Sequence, residues 1–132
     1  MCGIVGFINL QNNYSFDPLS LIKNMINEVR SRGPDFQNYW SDKENQVYLG
    51  HTRLAIIDLN QRSNQPIQSQ DGNWTIIFNG EIYNYEELKT TFENKNNLSG
   101  DTSVLVALIV KYGFESAIKK IEGMFAIAAW DR

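Results

Sequence analysis

Gly3 to Asn9 reads GIVGFIN, an apolar run with a glycine at its centre that starts almost at the first residue of the chain. Its length and composition are those of a buried strand. A strand placed so early ties down a terminus that would otherwise fray, and it holds the residue in front of it, Cys2. Cys2 is the single cysteine of the chain. One thiol cannot close an internal disulfide, which points to a reducing, cytoplasmic setting. No pair of cysteines or histidines has metal-ligand spacing.

Beyond that strand, Asp17-Pro18 reads as an N-cap and first-turn pair. Leu21, Ile22, Met25, Ile26 and Val29 follow at helical spacing, so a helix is predicted to end near Arg30. The loop Ser31-Arg32-Gly33-Pro34-Asp35 comes next. Strands are predicted at Gln37 to Ser41, Val47 to Thr52 and Ala55 to Asp58. The polar stretch Asn60 to Asn73 reads as loop with a short strand around Ile67, and Asp71-Gly72 as a hairpin turn into the strand Trp74 to Phe78. A helix carrying Tyr85, Leu88 and Phe92 inward starts after Asn84. Asp101 reads as the N-cap of a helix to Tyr112 that is apolar nearly all round and therefore buried. A short helix from Glu115 to Ile121 and the strand MFAIAAW close the chain. This mixed order of elements favours α+β over a doubly wound parallel sheet. An apolar strand so close to Arg132 suggests that further strands follow.

With 132 residues, one domain is the simplest organisation. Twelve basic against fifteen acidic side chains leave a net charge of −3. The basic residues are scattered, which argues against nucleic acid or a membrane surface as partner and for a small ligand. The first ten residues lack a basic n-region, and Asn9 and Gln11 interrupt the apolar run, so neither a signal peptide nor a spanning helix is present there.

Five segments in order carry a resemblance: MCGIVGF at the start, RGPD at Arg32 to Asp35, HTRLAIID from His51, NGEIYNY from Asn79 and GDTSVLVAL from Gly100. Together they resemble the glutaminase domain of class II glutamine amidotransferases, the N-terminal nucleophile hydrolase type. RGPD and FNGEIYNY are similar to the asparagine synthetase branch. The resemblance implies a four-layer αββα sandwich of two antiparallel sheets with flanking helices, incomplete at its C-terminal end. It implies a glutaminase domain over residues 1–132 without its last strands, and a separate synthetase domain or subunit that uses ATP and magnesium. No cofactor is expected in the glutaminase part. Uncovered strand edges would favour a homodimer.

The chemistry starts from position two. A lone cysteine beside an apolar strand is most often a small buried hydrophobe. Once Met1 is removed, however, one residue carries both a thiol and a free α-amine. In model peptides these titrate near ~8.5 and ~7.7–8.0, close enough to neutrality for a nucleophile and base to work together. A retained Met1 would lock that amine in a peptide bond. Asn79 and Gly80 resemble the family's oxyanion hole, a side-chain amide and a backbone N–H; the same Asn-Gly pair after a β-run is also a common type I′ turn. Arg53 would clamp the α-carboxylate of glutamine bidentately, although an isolated strand arginine is more often a surface residue. Asp101 would take the α-ammonium. The backbone at Leu54, Ala55, Ile56 and Ile57, and at Glu81, resembles the remaining glutamine contacts. Arg32 reads as support for the nucleophile, and His51 as a structural histidine rather than the base of a Cys–His pair. The function implied is hydrolysis of glutamine through a Cys2 thioester, with ammonia passed to a synthetase; the alternative is a glutamine-binding or structural fragment without turnover.

Overall fold

The structure is a computed structural model and describes residues 2–10, 15–55 and 63–132. These fall into two compact units, the first made of the described residues up to Ala55 with Asn64–Pro66, the second of Ser63 and Ile67–Arg132. Each unit is a three-stranded antiparallel sheet with helical cover, so the chain is α+β.

In the first unit the strands β1 (Gly3–Ile8), β2 (Phe36–Asp42) and β3 (Val47–Arg53) lie in the order β1-β3-β2. The central β3 pairs with both neighbours over its whole length, from Gly3↔Thr52 to Ile8↔Val47 on one side and from Phe36↔Arg53 to Asp42↔Val47 on the other. Every residue of β3 is buried. The hairpin between β2 and β3 is held by Asp42, whose Oδ1 accepts the N–H groups of Glu44 and Asn45 at 3.1 Å each. Helix α1 (Pro18–Glu28) begins as its sequence predicts. The Asp17 carboxylate accepts the Ser20 N–H at 3.0 Å, with Pro18 in the first turn. Ile22 and Ile26, one turn apart, pack against Tyr48 with Val5, Phe7 and Tyr39 around them. Gly50 lets the helix come this close: a Cβ there would lie 2.8 Å from Ile26 and from Val5. The helix stops at Glu28 and a 3-10 turn, Arg30–Arg32, leads into the Gly33-Pro34 loop.

In the second unit, β4 (Ile67–Gln68), β5 (Trp74–Ile82) and β6 (Gly123–Asp131) lie in that order. Asp71-Gly72 makes the expected turn, with Gly72 at φ 75° and the Gly72 N–H donating to Ser69 O at 2.9 Å. Helix α2 (Tyr85–Lys89) follows β5, then α3 (Asp101–Tyr112) and α4 (Phe114–Ile118). Val104, Leu105, Leu108 and Ile109 of α3 are fully buried with Ile76, Phe78 and Ile82 of β5 and with Ala117 and Ile121. Val110 and Tyr112 reach solvent, so α3 is apolar on more faces than it buries. Gly113, at φ 78°, ends α3 in a conformation that favours glycine.

Two expectations change, at Asp101 and at the last short helix. Of the strand predicted over Ala55 to Asp58 only Ala55 is described: β3 stops at Arg53, and Leu54 and Ala55 turn out of the ladder to other partners described below; Ile56, Ile57 and Asp58 lie outside the described residues. The alternative type I′ turn at Asn79-Gly80 does not form, because β5 runs through it to Ile82 in register with β6. Asp101 is the first residue of α3 and Gly100 is the N-cap. The Ser103 hydroxyl accepts the Gly100 N–H at 3.2 Å, which frees the Asp101 carboxylate for another donor. The last short helix lies one residue earlier and ends at Ile118.

Leu105→Ala is expected to cost about 2–5 kcal/mol of stability in urea unfolding, since it removes fully buried methyl groups from a filled core. Val110→Ala, on the exposed side of the same helix, should stay within about 0.5 kcal/mol. Equal losses would contradict the packing described.

Candidate active site

The residues singled out in the sequence fall into two sets, one in each unit. The first is centred on Cys2. Its sulfur is bracketed by the two peptide groups that flank the Leu54 Cα: the Leu54 N–H donates to Sγ at 3.4 Å, and the thiol lies 3.8 Å from the Leu54 carbonyl oxygen. Cys2 is half-buried, so the sulfur is neither sealed in the core nor free in solvent. Behind it, the Gly3↔Thr52 pair anchors the start of β1, and the Thr52 hydroxyl donates to Val29 O at 3.2 Å. Gly3 must be small, because a Cβ would come within 2.6 Å of that hydroxyl. Arg32 Nε donates to the Cys2 carbonyl oxygen at 3.1 Å, the supporting role expected of it.

Arg53 ends β3 beside Leu54. Its side chain is 7% exposed, contrary to the surface position usual for a strand arginine, and its Nη1 donates to Asn64 Oδ1 at 2.6 Å. A guanidinium carries a planar fork of donors, the equipment for a carboxylate. Asn64 lies in the polar stretch read as plain loop, and nothing in its neighbours marks it as a partner of Arg53. His51 is fully enclosed in β3, paired with Ile4 on one side and Asn38 on the other, whereas the Cys2 sulfur meets Leu54.

The second set lies at the far end of β5. Asn79, Gly80 and Glu81 pair with Ala126, Phe125 and Met124 of β6. Gly80 has φ 150°, and a Cβ there would sit 2.1 Å from Met124 O; two residues further along the ladder Gly123, paired with Ile82, has φ 159° and would place a Cβ 2.0 Å from Glu81 O. The two backbones approach so closely here that only glycine fits in either strand. The Asn79 Oδ1 is buried with no hydrogen-bond partner among the described residues. A buried acceptor left so is costly inside a protein, and a donor brought by a ligand would satisfy it.

Asp101 stands beside this segment. Its Oδ2 accepts the Ile82 N–H at 3.4 Å and its Oδ1 the Thr102 N–H at 2.7 Å. Burial pushes its carboxyl above the ordinary value, the negative charge of Glu81 adds to that, and the N–H donors oppose it. An acid that is harder to ionise when desolvated gains most from a cation brought to it. A cavity of 180 Å³ opens nearby among Ser63, Ile67, Asn97, Ser99, Thr102 and Ser103; Cys2, Arg53, Asn79, Gly80 and Asp101 do not line it. Among the described residues no group of three or more His, Cys, Asp or Glu could hold a metal ion, and no helix is long and apolar enough to cross a membrane.

The model of the glutamine amidotransferase domain family matches residues 1–132. Asparagine synthetase (glutamine-hydrolyzing) 1 of Bacillus subtilis is 41% identical over 136 residues, covering 100% of this chain and 21% of that protein. Amidase chry2 of Gibberella zeae is 33% identical, covering 99% of this chain and 21% of that protein. This chain thus spans about a fifth of the length of these relatives. Among solved structures, the glutamine phosphoribosylpyrophosphate amidotransferase of B. subtilis, complexed with ADP and GMP, superposes with a TM-score of 0.53 at 25% identity, over 66% of this chain and 21% of that one.

The raised Asp101 carboxyl has a consequence for stability. The folded chain holds this proton more tightly than the unfolded chain, so the group detracts from stability as pH rises through its folded value. Asp101→Asn keeps one acceptor oxygen, for the Thr102 N–H, gives up the one at 3.4 Å from the Ile82 N–H, and lacks the charge. The stability of the variant relative to the parent should therefore rise as pH is raised through and above the ordinary carboxylate range. Urea titrations at several pH values test this, and a gap independent of pH would contradict it.

Proposed function

This chain belongs to the glutamine amidotransferase domain family, and from that premise we propose that it hydrolyses glutamine to glutamate and ammonia through a thioester on Cys2. The observation that carries the proposal is the half-buried Cys2 sulfur beside the Leu54 peptide, next in sequence to a buried Arg53. After removal of Met1, the α-amine of Cys2 takes the thiol proton and Sγ attacks the carboxamide carbon of glutamine. The resulting oxyanion is met by the Asn79 side-chain amide and the Gly80 N–H. The amine then returns its proton to the leaving nitrogen, which departs as ammonia. Water, deprotonated by the same amine, opens the thioester to give glutamate and a free thiol.

Recognition of the substrate is assigned to Arg53 for the α-carboxylate and to Asp101 for the α-ammonium, with Glu81 and the backbone of Leu54, Ala55, Ile56 and Ile57 as further contacts. The buried guanidinium of Arg53 supports its role, and so does the desolvated carboxyl of Asp101. Ammonia is delivered to a synthetase domain or subunit of the asparagine synthetase type, where ATP and magnesium activate the acceptor carboxylate. The similarity to a glutamine-hydrolyzing asparagine synthetase over the whole of this chain supports that assignment. In the proposed reading residues 1–132 are the glutaminase part, need no cofactor of their own and work in the cytoplasm.

A sample from which Met1 has been removed should release glutamate, and one that retains Met1, or carries Cys2→Ala, should lose at least about a thousandfold in kcat. Glutamate release and intact mass, measured on the same samples, decide it. Equal turnover with and without Met1 would point instead to a base outside Cys2, and His51→Ala would then be the informative variant. Binding of glutamine without release of glutamate from the processed chain would favour a binding fragment.

A further inference from the structure

The loop Arg32-Gly33-Pro34-Asp35 holds more of the Cys2 site than its first residue. Arg32 Nε fixes the Cys2 carbonyl. Gly33 lies flat on the Thr52–Arg53 peptide, with no room for a Cβ: one would fall 2.4 Å from the Thr52 carbonyl and 2.5 Å from the Arg53 nitrogen. Pro34 bridges Arg53 in parallel fashion. Asp35 then grips the chain on both sides of Leu54. Its N–H donates to the Arg53 carbonyl at 3.0 Å, and its Oδ2 accepts the Ala55 N–H at 2.8 Å.

Leu54 lies between those two bonds, and its N–H is the donor directed at the Cys2 sulfur. Since β3 ends at Arg53, Leu54 and Ala55 have no ladder to hold them. We infer that Asp35 is a positioning residue for the nucleophile: by clamping Arg53 and Ala55 it sets the Leu54 peptide, which in turn orients Cys2 Sγ and supports negative charge on it. The same loop therefore holds Cys2 from its carbonyl side, through Arg32, and from its sulfur side, through Asp35. The role requires an acceptor at the reach of an aspartate side chain, and it does not require a charge. This inference rests on the glutaminase reading of Cys2 and deepens it.

Asp35→Asn and Asp35→Glu separate reach from charge. Asparagine presents an oxygen at the same distance, so kcat for glutamine hydrolysis should stay within about threefold of the parent. Glutamate keeps the charge one methylene too far out; kcat, counted per alkylatable Cys2, should fall about ten- to a hundredfold while KM stays within about twofold. Amide exchange at Leu54, followed by NMR, should quicken in the glutamate variant and remain at the parent rate in the asparagine variant. The inference is overturned if the glutamate variant is the active one, if both variants match the parent in kcat and in exchange, or if only KM moves. Faster exchange in the glutamate variant alone, combined with a parent that releases no glutamate, would uphold the hold on Leu54 and overturn the glutaminase reading instead.

Discussion

One residue, Leu54, presents both its N–H and its carbonyl to the sulfur of the chain's one cysteine, and the first unit is arranged so that the two meet. β1 must begin at Gly3, or Cys2 would hang loose; β3 must end at Arg53, or the Leu54 N–H would be spent in a sheet ladder. Between those limits the Gly3↔Thr52 pair sets how far Cys2 projects past the last rung. The cost of stopping β3 early is an irregular segment whose backbone groups need other partners, and the Asp35 side chain and the Cys2 sulfur supply two of them.

The second unit solves a related problem by strain rather than by termination. β5 and β6 approach so closely near Gly80 and Gly123 that neither position admits a side chain, and both glycines take positive φ, Gly80 within β5 and Gly123 at the first residue of β6. Such backbone persists only where its surroundings determine it from several sides. Here nine residues of β5 pair in one continuous register with β6, while Ile76, Phe78 and Ile82 lock the strand onto α3. The strained Gly80 backbone and the buried Asn79 side chain, whose amide oxygen has no partner among the described residues, are thus carried by a rigid element.

Local signals were legible in proportion to how locally they act. The Asp17-Pro18 cap, the Ile22/Ile26 stripe and the Asp71-Gly72 turn each involve neighbours in sequence, and each lies where the pattern places it. Asn79-Gly80 has the residues of a hairpin turn, yet β6, far downstream, continues the ladder across it. Asp101 has the residue type of an N-cap, yet the Ile82 N–H on β5 claims its carboxylate and Gly100 with Ser103 takes over the cap. Arg53 and Asn64 could not be paired from sequence, because the bond joins a strand end to a polar loop with no repeating pattern. The candidate site residues came from motif resemblance. The reason Gly33 cannot be larger appears only when the Thr52–Arg53 peptide lies against it.

The central claim is that the first residue of the processed chain is the nucleophile. Its most direct measurement is reaction of the processed protein with a diazoketone analogue of glutamine, followed by peptide mapping. The account predicts one adduct per chain, on Cys2, blocked by glutamine and absent when Met1 is retained. Labelling at any other residue, or equal labelling of the Met1-retaining chain, would contradict it.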